Sequence, residues 1–318
     1  MIDRIKLMAK DVDTNFLLNN FQWKDTTIDD APFKEGKQAN LNNKSSRYGL
    51  RMLLSKNLNT ETYTLTIDGS IRKWYLNEND RRDLNIIQFE DCIELLGKKI
   101  GLKQGEVWKT FKITALEVGV TLLLKSCFRN IMHCFVKYRN ADRCDKFKTT
   151  IYFRFKNYEI LLYDKFDQMK GNKIWTKKET NIFNKFHFLR FEISATKVSN
   201  TTFAKKFDTL ELVKNNWSKL SIILNEYLNK MEFIDLISDA NLNESNTILD
   251  INRQIKFSGM KSIGILNIIE AFKKIEQKNN KSKRLSELLN IYRSFISTDR
   301  DYKSELIFAL KKKTDKLI

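Results

Sequence analysis

Histidine is nearly absent from this chain: His133 and His187 are the only two among 318 residues. They lie far apart, which excludes chemistry resting on a histidine pair carried by one strand. Proline occurs once, at Pro32, inside a polar stretch from 24 to 49 that reads as loop. Cysteine is sparse as well. Cys92, Cys127, Cys134 and Cys144 contain no CxxC pair and do not look like a disulfide framework. The opening "MIDRIKLMAKDVDTNF" has no secretory apolar core, so free thiols in a reducing cytoplasm are expected. Cys127, His133, Cys134 and Cys144 raise a zinc site, but their spacing matches no common ligand pattern and "CFRNIMHCFV" is mostly apolar. Structural side chains are the better reading. No apolar run reaches the roughly 18 residues that a bilayer-crossing helix needs, so no membrane partner is expected.

What the chain has in excess is positive charge. Lysine and arginine outnumber the acids 57 to 39, a formal net charge of +18. That surplus fits a polyanionic partner, with nucleic acid ahead of an anionic membrane. Charge alone does not decide, because A/T-rich coding inflates lysine and asparagine without any such partner. Hydrophobic residues make up 42% of the chain, enough for a globular core in one large domain or two modest ones.

Three segments differ in texture. Residues 1–105 mix short strands with polar connections. Within them "ETYTLTIDGS" and "IRKWYLN" read as paired strands around the turn signal Asp68-Gly69, and "IIQFEDCIELLGKKIGL" as a helix with Ile86, Phe89, Ile93 and Leu96 on one stripe. Gly97 or Gly101 would end it. Residues 106–204 hold the strands "FKITALEVGVTLLL", "TTIYFRF…NYEILLYDK" (a hairpin around Lys156-Asn157) and "FHFLRFEISATKV". Residues 205–318 turn helical, with their lysine and arginine excess on solvated faces. The fold class is α+β: largely antiparallel sheets with helices on one face and a helical C-terminal region.

Alternate side chains of a strand point to opposite faces. In "ALEVGVTL", Leu116, Val118, Val120 and Leu122 face a core. Ala115, Glu117, Gly119 and Thr121 face away, one acid on a floor of small residues open to a large substrate. In "FLRFEISAT", Leu189, Phe191, Ile193 and Ala195 face the core, and Arg190, Glu192, Ser194 and Thr196 the other side. In "YEILLYDK", Glu159, Leu161, Tyr163 and Lys165 oppose Ile160 and Leu162. If these strands are neighbours, two carboxylates, a tyrosine, a lysine and an arginine share a polar face. Such a set suits metal-assisted phosphodiester chemistry. Tyrosine would be the oxygen nucleophile, although its pKa of about 10 requires activation. A solvated sheet face carrying ordinary scattered charges is the competing reading.

At these residues the sequence resembles the rolling-circle replication initiators of small plasmids and filamentous-type phages, the trans-acting plasmid initiators and the gene II-type phage proteins. The marks run in order: "MID" at Met1–Asp3, "GSIRKWYLNEND", "ALEVGV", "ILLYDK" and "LRFEIS". They cover residues 1 to about 200, and the C-terminal third carries none. The resemblance implies a core like that of the HUH endonucleases without its paired histidines. Tyr163 would be the nicking nucleophile and would stay bound to the 5′ phosphate, with Glu117 and Glu192 holding Mg²⁺ or Mn²⁺. Lys165 and Arg190 would contact phosphate, and Lys165 is a second candidate, after the metal, for activating the hydroxyl. Gly119 and Thr121 stand where some relatives carry another ligand. Asp164 faces the wrong way, so the third ligand is unassigned and water would complete the shell.

The implied partner is single-stranded or hairpin DNA at a replication origin, with a host helicase and polymerase beyond it. Arg72, Lys73 and Trp74 mix charge with a stackable ring, which suits a DNA-holding strand; a strand with one buried tryptophan explains them as well. The alternative functions are a non-catalytic origin-binding protein and an RNA-binding protein using the same basic surface.

Overall fold

The computed structural model describes residues 1–10, 12–28, 34–43, 49–76, 82–126, 131–132, 134–147, 149–171, 187–233, 247–276, 280–294 and 302–318. Pro32, Cys127 and His133, and most of the polar loop after Asp167, lie outside them. The strands are β1 (Ile2–Lys10), β2 (Lys24–Thr26), β3 (Lys34–Leu41), β4 (Leu50–Asn57), β5 (Tyr63–Ser70) and β6 (Lys112–Leu124). They continue with β7 (Phe135–Tyr138), β8 (Ala141–Phe147), β9 (Thr150–Arg154), β10 (Tyr158–Asp164), β11 (His187–Ala195) and β12 (Met231–Phe233). All join one sheet in the order β12-β7-β8-β9-β10-β11-β6-β1-β5-β4-β3-β2, and every neighbouring pair is antiparallel. The fold is α+β, as composition and periodicity imply. All three segments contribute to this sheet: β1 pairs with β6 across residue 105, and the otherwise helical third segment adds β12 beside β7.

Parity holds on the central strands. Leu116, Val118, Val120 and Leu122 of β6 and Leu189, Phe191 and Ile193 of β11 are essentially fully buried. Burying each such side chain is worth about 1.5–3 kcal/mol, which fixes register against a one-residue slip. Helices cover that face. The Ile86–Lys99 helix opens on a capping box between Asn85 and Gln88 and buries Phe89, Ile93 and Leu96. Gly101, at φ 86°, follows its end, whereas Gly97 sits inside it against Val107. Phe89 packs on Trp217 of the Trp217–Asn229 helix, ring centroids 5.0 Å apart. The Tyr302–Asp315 helix adds Leu306 and Leu310 to the same core, and its Glu305 accepts from Ser126 just past β6. A smaller cluster joins Val136 to Phe257, Met260, Ile265 and Tyr292 from the helices at Ile248–Ile263, Ile265–Lys274 and Lys281–Ser294.

Two local readings are corrected. "IRKWYL" is a helix, Ile71–Leu76, and not a strand; β5 runs straight through Asp68-Gly69 to Ser70. Ile71 and Trp74, three residues apart, are both fully buried, the spacing of a helix face. The stretch 24–49 contains β2 and β3. These strands lie toward one end of the sheet, where few positions need be apolar, and in β3 only Gly36, Ala39 and Leu41 are buried.

Among the described residues Cys92, Cys134 and Cys144 form no disulfide, and the first two are buried. No described helix is long and apolar enough to cross a membrane.

Candidate active site

Five adjacent strands, β10, β11, β6, β1 and β5, build the polar face. Tyr163 pairs with Arg190, Arg190 with Thr121, Glu192 with Gly119, and Ser194 with Glu117. The parity argument thus brings Tyr163, Arg190, Glu192 and Glu117 together on one side.

Asp3 joins them through a register break. Ile2 pairs with Val118 and Ile5 with Leu116, so Asp3 and Arg4 both stand against Glu117. This is a β-bulge, which re-aims a side chain that strict alternation would turn the other way. Carboxylate oxygens of Asp3, Glu117 and Glu192 then lie within 4.8 Å of one another. Asp3 is the third acid that sequence reading leaves unassigned. Asp164 is not part of the cluster: its Oδ1 accepts from the Phe166 and Asp167 amides and caps the Lys165–Gly171 helix.

Arg190 is the hub, and the expectation that it contacts DNA phosphate is corrected. It is fully buried. Its Nε donates to Glu192 at 2.7 Å, and one terminal nitrogen donates to Asp3 at 2.7 Å. The other terminal nitrogen donates to Asp83 and, at 3.2 Å, to the Thr121 hydroxyl. Its guanidinium is committed inside the protein. Gly119 makes room for this: a Cβ there would stand 2.6 Å from Glu192 Cγ and 3.2 Å from an Arg190 nitrogen. The floor above Gly119 is therefore filled by these two side chains and is not open to a substrate.

The "GSIRKW" element clasps Asp3. Ser70 donates its hydroxyl to one Asp3 oxygen and accepts the Lys73 amide, starting the Ile71–Leu76 helix. Arg72 donates from Nε to the other Asp3 oxygen at 3.0 Å and is 2% exposed. Trp74 is fully buried, its indole N–H donating to the Leu41 carbonyl. Neither Arg72 nor Trp74 is available to an unpaired base, so the DNA-holding reading is corrected for both. Lys73 is half-buried.

Asp83, which no motif flags, supports the hub from the side. Its carboxylate accepts from Arg190, from the Thr121 amide at 3.0 Å and from Lys313 at 2.9 Å. Burial alone would raise its pKa, but Arg190 and Lys313 outweigh that and pull it down to about 2. Burial also works against Asp3, yet Arg72 and Arg190 hold its carboxyl well below the usual carboxylate range.

Glu117 behaves in the opposite way. Burial, then the Glu192 and Asp3 charges, push its carboxyl well above the ordinary value, and it makes no ion pair or hydrogen bond among the described residues. The donor set is all oxygen, it is braced by Ser70, Arg72 and Arg190, and it leaves the Glu117 carboxylate with no direct partner, its charge only partly offset by Arg190 and Arg4. Those features fit a hard divalent cation. The Tyr163 hydroxyl donates to Glu192 Oε1 at 3.2 Å; burial and the Glu192 charge push its pKa well up. Lys165 is 5% exposed, with Nζ 2.7 Å from Gln168 Oε1 and 5.6 Å from the Tyr163 ring centre. Burial, then Arg72 and Arg190, bring its pKa down to about 7.

No protein-family model and no curated protein sequence matches this chain.

Proposed function

We propose that the protein is a metal-dependent DNA-nicking and strand-rejoining enzyme that starts rolling-circle replication, built on an HUH-like core in which carboxylates replace the histidine pair. The observation that carries this reading is the Tyr163 hydroxyl on Glu192, itself one of three converging carboxylates. Mg²⁺ or Mn²⁺ held by Asp3, Glu117 and Glu192 would neutralise charge on a phosphoryl oxygen and on the tyrosyl oxygen. Glu192 orients the hydroxyl, and Lys165, whose pKa burial brings down to about 7 and whose Nζ stands 5.6 Å from the Tyr163 ring centre, is the candidate base. The Tyr163 oxygen bonds to phosphorus as the bond from phosphorus to the 3′ oxygen breaks. The tyrosyl proton passes to the local base, and the departing 3′ oxygen takes up a proton to leave a free hydroxyl. Rejoining reverses these steps.

A strand-cleavage assay on a 5′-labelled library of single-stranded DNA hairpins tests this. Cleavage with Mn²⁺, products extendable by a polymerase and inactivity of Glu117→Gln are expected. Cleavage that persists in chelator would refute it. One observation favours a non-catalytic origin-binding protein instead: Asp3 and Glu192 are already neutralised by arginine. That reading predicts DNA binding with no cleavage and no loss of binding in Glu117→Gln.

A further inference from the structure

A second concavity lies on the helix-covered face of the sheet, away from the carboxylates. Tyr158 shares strand parity with the core residues Ile160 and Leu162, opposite to Tyr163. The cleft beside it encloses about 490 Å³, within the range of small-molecule sites. Its wall includes Tyr158, Phe203 and Tyr227. Tyr158 and Tyr227 are half-buried and packed edge to face, ring centres 6.0 Å apart, and Phe203 stands 5.5 Å from Tyr227. Tyr158 is backed by Phe155, stacked at 4.4 Å, and Tyr227 by Tyr138, stacked at 5.4 Å. The wall is thus a contiguous aromatic assembly.

Four cations from three parts of the chain converge on the same cleft: Arg139, Lys206, Lys219 and Lys230, all exposed. The one lining acid, Glu226, is engaged by Lys230 at 3.3 Å, which leaves a net positive cleft. Arg139 occupies the left-handed region at φ 51° as the first residue of the two-residue turn between β7 and β8, the geometry that such a hairpin requires, and this fixes its backbone at the rim of the cleft.

We propose that this cleft is a nucleotide-binding site, with a planar base against the Tyr158, Phe203 and Tyr227 wall and the phosphate held by Arg139, Lys206 and Lys219. An aromatic wall and a cationic rim are the two halves of nucleotide chemistry: stacking for the ring, charge-assisted hydrogen bonds for the phosphate. The site shares no residue with the Tyr163 centre, so it stands whether or not that centre cuts DNA. The occupant is either a free nucleotide or one unit of a single strand.

Photo-crosslinking of the full chain separates these. The probes are 5-iodo-2′-deoxyuridine 5′-monophosphate and a five-nucleotide thymidine strand carrying one 5-iodouracil, each followed by peptide mapping. Adducts on Tyr158, Phe203 or Tyr227 are expected, competed by inorganic phosphate. They should fall about tenfold in Lys206→Glu combined with Lys219→Glu, as the loss of two charged contacts implies. Labelling by the monophosphate alone identifies a free nucleotide, and labelling by the strand, with or without the monophosphate, identifies a strand segment. Adducts mapping only elsewhere, or undiminished labelling of the charge-reversed variant, overturn the proposal. Tyr163→Phe should label like wild type, which keeps this outcome apart from failure of the nicking reading.

Discussion

At the scale of single residues, Gly119 and Lys165 carry the sharpest consequences. Gly119 is required for space, since a methyl group there would press on Glu192 Cγ and, at 2.8 Å, on the Phe191 carbonyl. Gly119→Ala should therefore cost about 1–3 kcal/mol of stability and displace Glu192 from the Tyr163 hydroxyl. Chemical denaturation reads the first effect, and loss of nicking the second. Lys165 makes a prediction about pH. Its pKa falls from the ordinary lysine value of 10.5 to about 7 in the folded protein. The unfolded chain thus holds the proton more tightly between those limits. Stability should rise with pH from about 7 toward 10.5, the penalty of a buried ammonium being fully present below 7. Lys165→Met should flatten that rise in denaturation curves taken across the range; an unchanged slope would show that Lys165 is not the titrating group.

At the scale of elements, the β1 bulge decides whether a third acid exists. Asp3 reaches Glu117 and Glu192 only because β1 carries one extra residue there. Asp3→Asn should weaken Mn²⁺ binding by about 10-fold or more, comparable to losing a first ligand or its support, as measured by electron paramagnetic resonance. Equal affinity in the variant would remove Asp3 from the ligand set. The same bulge explains why Asp3 is not legible in the sequence. In "MIDRIKLMAK" the buried residues Ile5, Leu7 and Ala9 set a period of two that assigns Asp3 to the core face. Glu117, Glu192 and Tyr163 are legible because β6, β10 and β11 pair without a register shift. Their alternation is rigid, and it survives translation into three dimensions. "GSIRKW" misleads for a different reason. Asp68-Gly69 has turn chemistry, yet β5 continues through it, and Ile71 with Trp74 marks a helix whose Arg72 serves Asp3. Arg190 reads as an outward cation by parity, which is right about the face. Parity does not reveal that three acids surround it there.

At the scale of the whole molecule, the polar face is held from outside the strands that build it. Lys313, in the helix closest to the C-terminal end, pairs with Asp83, and Asp83 in turn fixes Arg190. This helix belongs to the segment that carries none of the motifs on which the resemblance to replication initiators rests. The lysine-rich ending "LKKKTDKLI" reads as a solvated face, and Lys311 and Lys312 are exposed; Lys313 departs from that pattern. Removing one partner of a buried ion pair leaves a charge uncompensated, typically costing about 3–5 kcal/mol. The half-exposed Lys313 should cost less, so Lys313→Met is expected to lose about 1–2 kcal/mol. The proposed nicking should also slow, through Arg190, without a change in which strand is cut. A variant as active and stable as wild type would detach the C-terminal helix from the site. The same architecture puts Tyr163 and the acids on one face and the aromatic, basic cleft on the other.

The most direct test is to incubate the full chain with Mn²⁺ and 3′-labelled single-stranded DNA hairpins, then denature it and map any label that stays attached. A nucleophilic Tyr163 predicts a denaturant-resistant adduct on the peptide containing "ILLYDK", absent in Tyr163→Phe and in chelator. An adduct that survives Tyr163→Phe, or cleavage with no adduct at all, would contradict it.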